Sequence, residues 1–232
     1  MQVTLSKNAK IKKDAVIIEG FPGFGLVGTI ATEFLIDHLK MRIVGEFDFP
    51  ELQATTAIHN GAVVRPMALH YSDAHNLLVF HTILSVKGHE WRAAEEVVRI
   101  ADEVGAKEII SLEGVNALVP NQESKVYSFG DKRLEELGAE KMKESIIMGV
   151  TAALLLKSPK TTCLFAETHS DLPDSRAAAA IIRVLDKHLG LNVNPEPLMK
   201  QAEEFEQKLK LIMQQTQKTV AEADKKNLSY LG

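Results

Sequence analysis

Three groups of residues in this 232-residue chain have the types and spacing to do chemistry. In the stretch EGFPGFGLVG (19–28), Gly20 closes an apolar run and Gly23, Gly25 and Gly28 spell G-x-G-x-x-G. Between a strand and a helix, glycines at that spacing let the backbone approach a pyrophosphate, and a carboxylate about 20 residues on binds the ribose. Glu46 and Asp48 stand at that distance. In ETHSDLPD (167–174), the residues Glu167, His169, Asp171 and Asp174 follow an apolar run. With Glu113 of LEGVN they offer acids and bases for hydrolysis at the carboxyl ends of strands. The third group is His70, His75 and His81 with Asp73, which adjacent strands would bring toward one divalent metal.

Each group also has a plainer explanation, and the residue types favour it. Phe21, Pro22 and Phe24 make the glycine loop rigid and apolar, so Gly20, Gly23, Gly25 and Gly28 read as a structural turn or a partner contact, with no cofactor expected. The hydrolase group has no evident nucleophile: there is no G-x-S-x-G, and Cys163 sits in the apolar run TTCLFAE as a core thiol. Ser170 and Asp171 are turn formers leading into a helix. The histidines form neither H-x-x-x-H nor H-E-x-x-H and read as half-exposed strand and turn residues. No catalytic residue and no metal site is assigned. A nucleotide-binding or hydrolytic enzyme, built on the loop at 23–28 and the segment at 167–174, remains the alternative.

The elements that would position these residues follow from periodicity. Apolar runs at 14–20, 42–47, 107–115 and 161–168 read as strands, with closely spaced candidates at 62–66, 67–72 and 76–83 and another at 125–130. Helices are expected from about 26 to 39, from 89 with Trp91, Ala94, Val97, Val98 and Ala101 on one face, in RLEELGA, and from 173 to 190. The run IIMGVTAALLLKS (146–158) is ambiguous. Strands alternating with helices predict an α/β domain over 1–191, largely parallel with an antiparallel component and with helices on both faces.

A net charge of −4 gives no pull toward nucleic acid or anionic membranes. A single cysteine excludes a disulfide framework within the chain and fits a reducing cytoplasm. No stretch reaches the roughly 18 apolar residues of a membrane span, and the first residues lack the apolar core of a signal peptide.

NVNPEP (192–197) reads as a linker, and beyond it no glycine or proline interrupts the chain to about 226. Leu198, Ala202, Phe205, Leu209, Ile212, Thr216 and Val220 step by three or four, close to a heptad stripe. A helix of about 30 residues is roughly 45 Å long, so a projecting helix that pairs with partner subunits is expected within 192–232.

Together, EGFPGFGLVG, LEGVNA and LPDSRAAAAIIRVLDKHLGL resemble the proteasome assembly chaperone family, in its single-subunit archaeal members. The resemblance spans about 14–190. It implies a three-layer α/β/α fold with a mixed sheet, similar to the purine nucleoside phosphorylase-like group and without established enzymatic activity. It also implies homo-oligomers, with a tetramer favoured, that engage proteasome α subunits or the 20S particle. Such partners often end in a hydrophobic-tyrosine-any tripeptide. Here NLSYLG is off by one register, with Tyr230 third from the end. Leu228, Tyr230, Leu231 and the Gly232 carboxylate still make a plug for an apolar pocket with a basic rim.

Overall fold

A computed structural model describes residues 1–59, 61–116, 124–168, 172–194, 196 and 200. The chain starts with β1 (Gln2–Leu5) and β2 (Val16–Gly20), then enters α1 (Val27–His38) through a tight turn at Phe24–Leu26. β3 (Arg42–Asp48), the hairpin β4 (Ala57–His59) and β5 (Ala62–Val64), β6 (Met67–Ser72) and β7 (Leu77–Thr82) follow. Next come α2 (Glu90–Glu103), β8 (Glu108–Asn116), β9 (Val126–Phe129), α3 (Arg133–Glu136) and β10 (Glu140–Lys141). The ambiguous run resolves as the helix α4 (Gly149–Lys157), and β11 (Thr161–Thr168) and α5 (Ser175–Leu189) complete the domain.

Nine strands form one mixed sheet in the order β1-β3-β6-β7-β2-β8-β11-β9-β10. β7, β2, β8 and β11 are parallel neighbours, and antiparallel pairs flank them on both sides. β2 is buried on both faces, as expected of a central strand that reads as a continuous apolar run. Val16 and Ile18 join the core under α1 and α5, while Ile17 joins the opposite core under α2 and α4. The result is a three-layer α/β/α arrangement. Asp174 accepts the Ala177 N–H at 3.0 Å as the cap of α5, and Gly190 ends that helix at φ 63°.

Two corrections concern faces and edges. The buried face of α2 is Ala93, Ala94, Val97, Ile100 and Ala101, whereas Trp91 is 54% exposed with Lys157 Nζ 5.4 Å from its ring centre. Trp91 lies in the first turn, where the helix begins beside a cleft and not over the sheet. β1 and β10 are edge strands of four and two residues, too short for their pattern to register in the sequence. The stripe residues from Leu198 to Val220 and the tail at 228–232 lie outside the described residues.

Candidate functional site

The carboxyl ends of β2 and β8 meet at the glycine loop, and the glycines are needed there for contact. A Cβ on Gly20 would lie 2.2 Å from the Gly28 carbonyl oxygen, and one on Gly28 would lie 2.4 Å from that of Leu112. Across the loop, a Cβ on Gly114 would lie 2.1 Å from the Phe24 carbonyl oxygen. Such separations are far inside van der Waals contact, so α1 can close onto β8 only without side chains at these positions. Gly25 has φ 63°, a left-handed conformation, and its Cα faces the Thr168 side chain. Its carbonyl accepts the Asp174 N–H at 2.9 Å, which ties the loop to the start of α5.

The loop already holds an anion-type group. Glu113 Oε1 accepts the N–H groups of Phe24 and Gly114, each at 3.2 Å, and occupies the space where a Gly23 Cβ would stand. A phosphate would compete with this carboxyl for the Phe24 N–H. Glu46 and Asp48 do not complete a ribose site. They lie on β3, separated from β2 by β6 and β7, and Glu46 pairs with Arg65 at 2.9 Å. A dinucleotide fold places its acidic strand next to the glycine loop. This topology does not.

Behind the loop runs a polar chain through the core. Glu19 Oε2 accepts the Phe21 N–H at 3.1 Å, and its Oε1 contacts Ser111 Oγ. Ser111 Oγ lies 2.8 Å from Thr151 Oγ1, which lies 3.2 Å from Glu113 Oε2. Burial pushes the Glu19 carboxyl up to about 7, against the lowering effect of its bonds to Ser111 and Phe21. Burial and the neighbouring Glu19 carry Glu113 to about 8. Cys163 lies in the same buried setting and its thiol is pushed upward, first by desolvation and then by both carboxyls. It is a core thiol with little thiolate character. Glu113 stood out in the sequence, and the other members did not. The legible signal was an acid, Glu19, inside the otherwise apolar run AVIIEG.

Glu113 opens onto a cleft of about 540 Å³. Phe21, Pro22 and Phe24 form one wall, Lys87 and Glu90 stand before and at the start of α2, and Ile146, Ile147 and Met148 lead into α4. Ile146 and Met148 are 90% and 77% exposed, and on the same side of the sheet Leu156 of α4 is 75% exposed. Other large apolar side chains, such as Ile58, Val63 and Phe129, are exposed elsewhere on the fold.

The other candidate groups separate. Glu167 is buried and accepts the Tyr127 hydroxyl at 2.8 Å, Asp174 caps α5, and His169, Ser170 and Asp171 lie outside the described residues. His70 and His81 approach to 6.2 Å between ring centres, and His81 pairs with Glu33 at 2.8 Å. His75 and Asp73 sit at the turn beyond the other end of β6 and β7, bonded to Ser72 and Arg42. The four side chains considered from spacing as a possible metal group are therefore split between two ends of β6 and β7. At the amino-terminal end of β8, Glu108, Asp131 and His188 do converge within 4.8 Å, but Arg133 already holds Asp131 through two nitrogens.

Comparison with known proteins decides the family. The PAC2 family model matches residues 17–213. The chain belongs to the PAC2 family. An uncharacterized protein of Methanocaldococcus jannaschii is 30% identical over 234 residues, covering 97% of each chain. Crystalline Pyrococcus furiosus PbaA, an archaeal homologue of proteasome-assembly chaperone, shares 32% identity and a TM-score of 0.82, covering 94% of this chain and 99% of its own. Pyrococcus furiosus PbaB, an archaeal proteasome activator, has the same fold at 24% identity and a TM-score of 0.71, with 91% and 98% covered. The glycine loop, the acid chain and the cleft of this PAC2 chain all lie within the matched residues. Among its described residues no helix is long and apolar enough to cross a membrane.

Proposed function

We propose that this protein is a proteasome assembly chaperone or proteasome-binding module that works by contact and not by catalysis, in the cytoplasm, as a homo-oligomer. The observation that carries this reading is the match to PbaA at 32% identity across nearly the whole of both chains. The site chemistry agrees with it. The glycine loop is filled by packing and by Glu113, and the exposed Ile146, Met148 and Leu156 present apolar area to a partner.

The proposed partners are proteasome α subunits, alone or within the 20S particle. Tyr230 is the proposed anchor, since it joins a large apolar ring to a hydroxyl with few rotatable bonds. Leu228, Leu231 and Gly232 flank it, and the stripe from Leu198 to Val220 joins copies so that several tails engage one ring. Linked tails raise avidity by about 10²–10⁴ over one tail without new contacts. Surface plasmon resonance on immobilised α subunits tests this. Removal of 228–232 should abolish binding while leaving the fold and the oligomeric state intact. Undiminished binding by the shortened chain would move the contact to the α/β domain.

A further inference from the structure

The chain Glu19–Ser111–Thr151–Glu113 contains three oxygen–oxygen contacts, each of which takes one proton between its oxygens. The Ser111 and Thr151 hydroxyls supply two protons. If both carboxyls were ionised, those two protons would point outward, one to each carboxylate. Ser111 Oγ and Thr151 Oγ1 would then face each other at 2.8 Å with no proton between them. One carboxyl must supply the third.

The remaining oxygens fix where that proton sits. Glu19 Oε2 and Glu113 Oε1 already accept backbone N–H groups, so the proton lies on Glu19 Oε1 or on Glu113 Oε2. In the first arrangement Glu19 donates to Ser111, Ser111 to Thr151, and Thr151 to an ionised Glu113. In the second every bond reverses, and the charge sits on Glu19. We propose that Glu19 and Glu113 share one proton through Ser111 and Thr151, and that this buried proton makes the floor of the cleft a pH-sensitive element of the fold. Losing it removes the Ser111–Thr151 bond, one of the two that join β8 to the first turn of α4, and sets two carboxylates at the ends of a broken chain.

Among the described residues no cation is bonded to either carboxyl to offset that charge. Among the described residues, the titratable groups around the chain include Cys163, which lies opposite Ser111 on β11 and bonds to it, and, at the cleft wall, Lys87 and Glu90. Neither Glu19 nor Glu113 has an ion-pair partner among the described residues. The direction of the pH effect follows. In the unfolded chain both glutamates ionise near 4.5, while the native pair keeps a proton above that value. The native state then binds more protons, and the folding equilibrium constant falls about tenfold per pH unit for each retained proton, from about pH 5 until the native pair gives it up.

The test is equilibrium unfolding of the full chain and of Glu19→Gln across pH 5 to about 7. In that variant the new side-chain amide donates to Ser111 and its oxygen accepts from Phe21, so every contact is kept and the proton at that end of the chain no longer titrates. Relative to Glu19→Gln, the wild-type folding constant should fall about tenfold per pH unit. Parallel profiles would overturn the proposal. Should Glu19→Gln not fold, Glu113→Gln serves by the same logic, donating to Thr151 and accepting from Phe24 and Gly114. Infrared spectroscopy gives an independent readout. A protonated-carboxyl carbonyl band should persist in the wild type at neutral pH and vanish in the glutamine variant, and its absence from the wild type would refute the shared proton.

Discussion

Replacing Gly25 by alanine separates backbone strain from packing, because Gly105 supplies an internal control. Both glycines have φ 63°, but a Cβ on Gly105 meets nothing within 4 Å, while one on Gly25 lies 2.8 Å from Thr168 Oγ1 and 3.0 Å from its methyl carbon. Holding an L-residue in the left-handed region costs roughly 1–2 kcal/mol at either site. Overpacking a closed site adds about 1–3 kcal/mol, and only Gly25 incurs it. Gly105→Ala should therefore destabilise by about 1 kcal/mol and Gly25→Ala by about 3 kcal/mol. For a domain of this size each kcal/mol moves the melting midpoint by about 2–4 °C. Calorimetry should thus find a drop of roughly 3 °C for Gly105→Ala and roughly 9 °C for Gly25→Ala. Thr168→Ala in a double-mutant cycle should recover most of the difference. Equal shifts at the two glycines would show that Thr168 yields freely. A Gly25→Ala midpoint within about a degree of wild type would refute the structural account of the loop, since even the strain alone predicts more.

Further outcomes follow from the assembly proposal and from the histidine pair. Deleting 196–232 should leave a folded α/β domain with a smaller oligomeric mass by light scattering, and an unchanged mass would remove the terminal stripe from the assembly role. Burial, with a smaller effect from neighbouring His81, lowers His70 to about 4, from an ordinary value of 6.5. A histidine depressed in the folded state stabilises above its unfolded value and loses that stability as pH falls from 6.5 toward 4, by up to about 3 kcal/mol. His70→Gln should flatten the acid limb of the stability profile in that window, and an unchanged limb in urea titrations would show that His70 is not the sensor.

Much of the fold was legible because local and global preferences agree. β2 and β11 are short, largely apolar stretches buried at every position, as central parallel strands must be, and α5 carries its Asp174 cap and its Gly190 stop at the expected places. β1, β10 and the burial of α2 were not legible, since a two-residue strand has no period and Trp91 is left half exposed by what lies beside it. The sequence alone also narrowed the glycine loop to two meanings, a phosphate cradle or a tight turn, with Phe21, Pro22 and Phe24 favouring the turn. G-x-G-x-x-G records only that side chains are unwelcome, not what displaces them. Tertiary structure adds what disfavours the cradle. β3 lies three places along the sheet from β2, beyond any ribose bound at the loop, and Glu113 arrives from β8, 94 residues after Glu19, to take the loop's N–H. Which residues share one buried proton is a property of distances between separate strands and a helix, and no spacing along the chain encodes it.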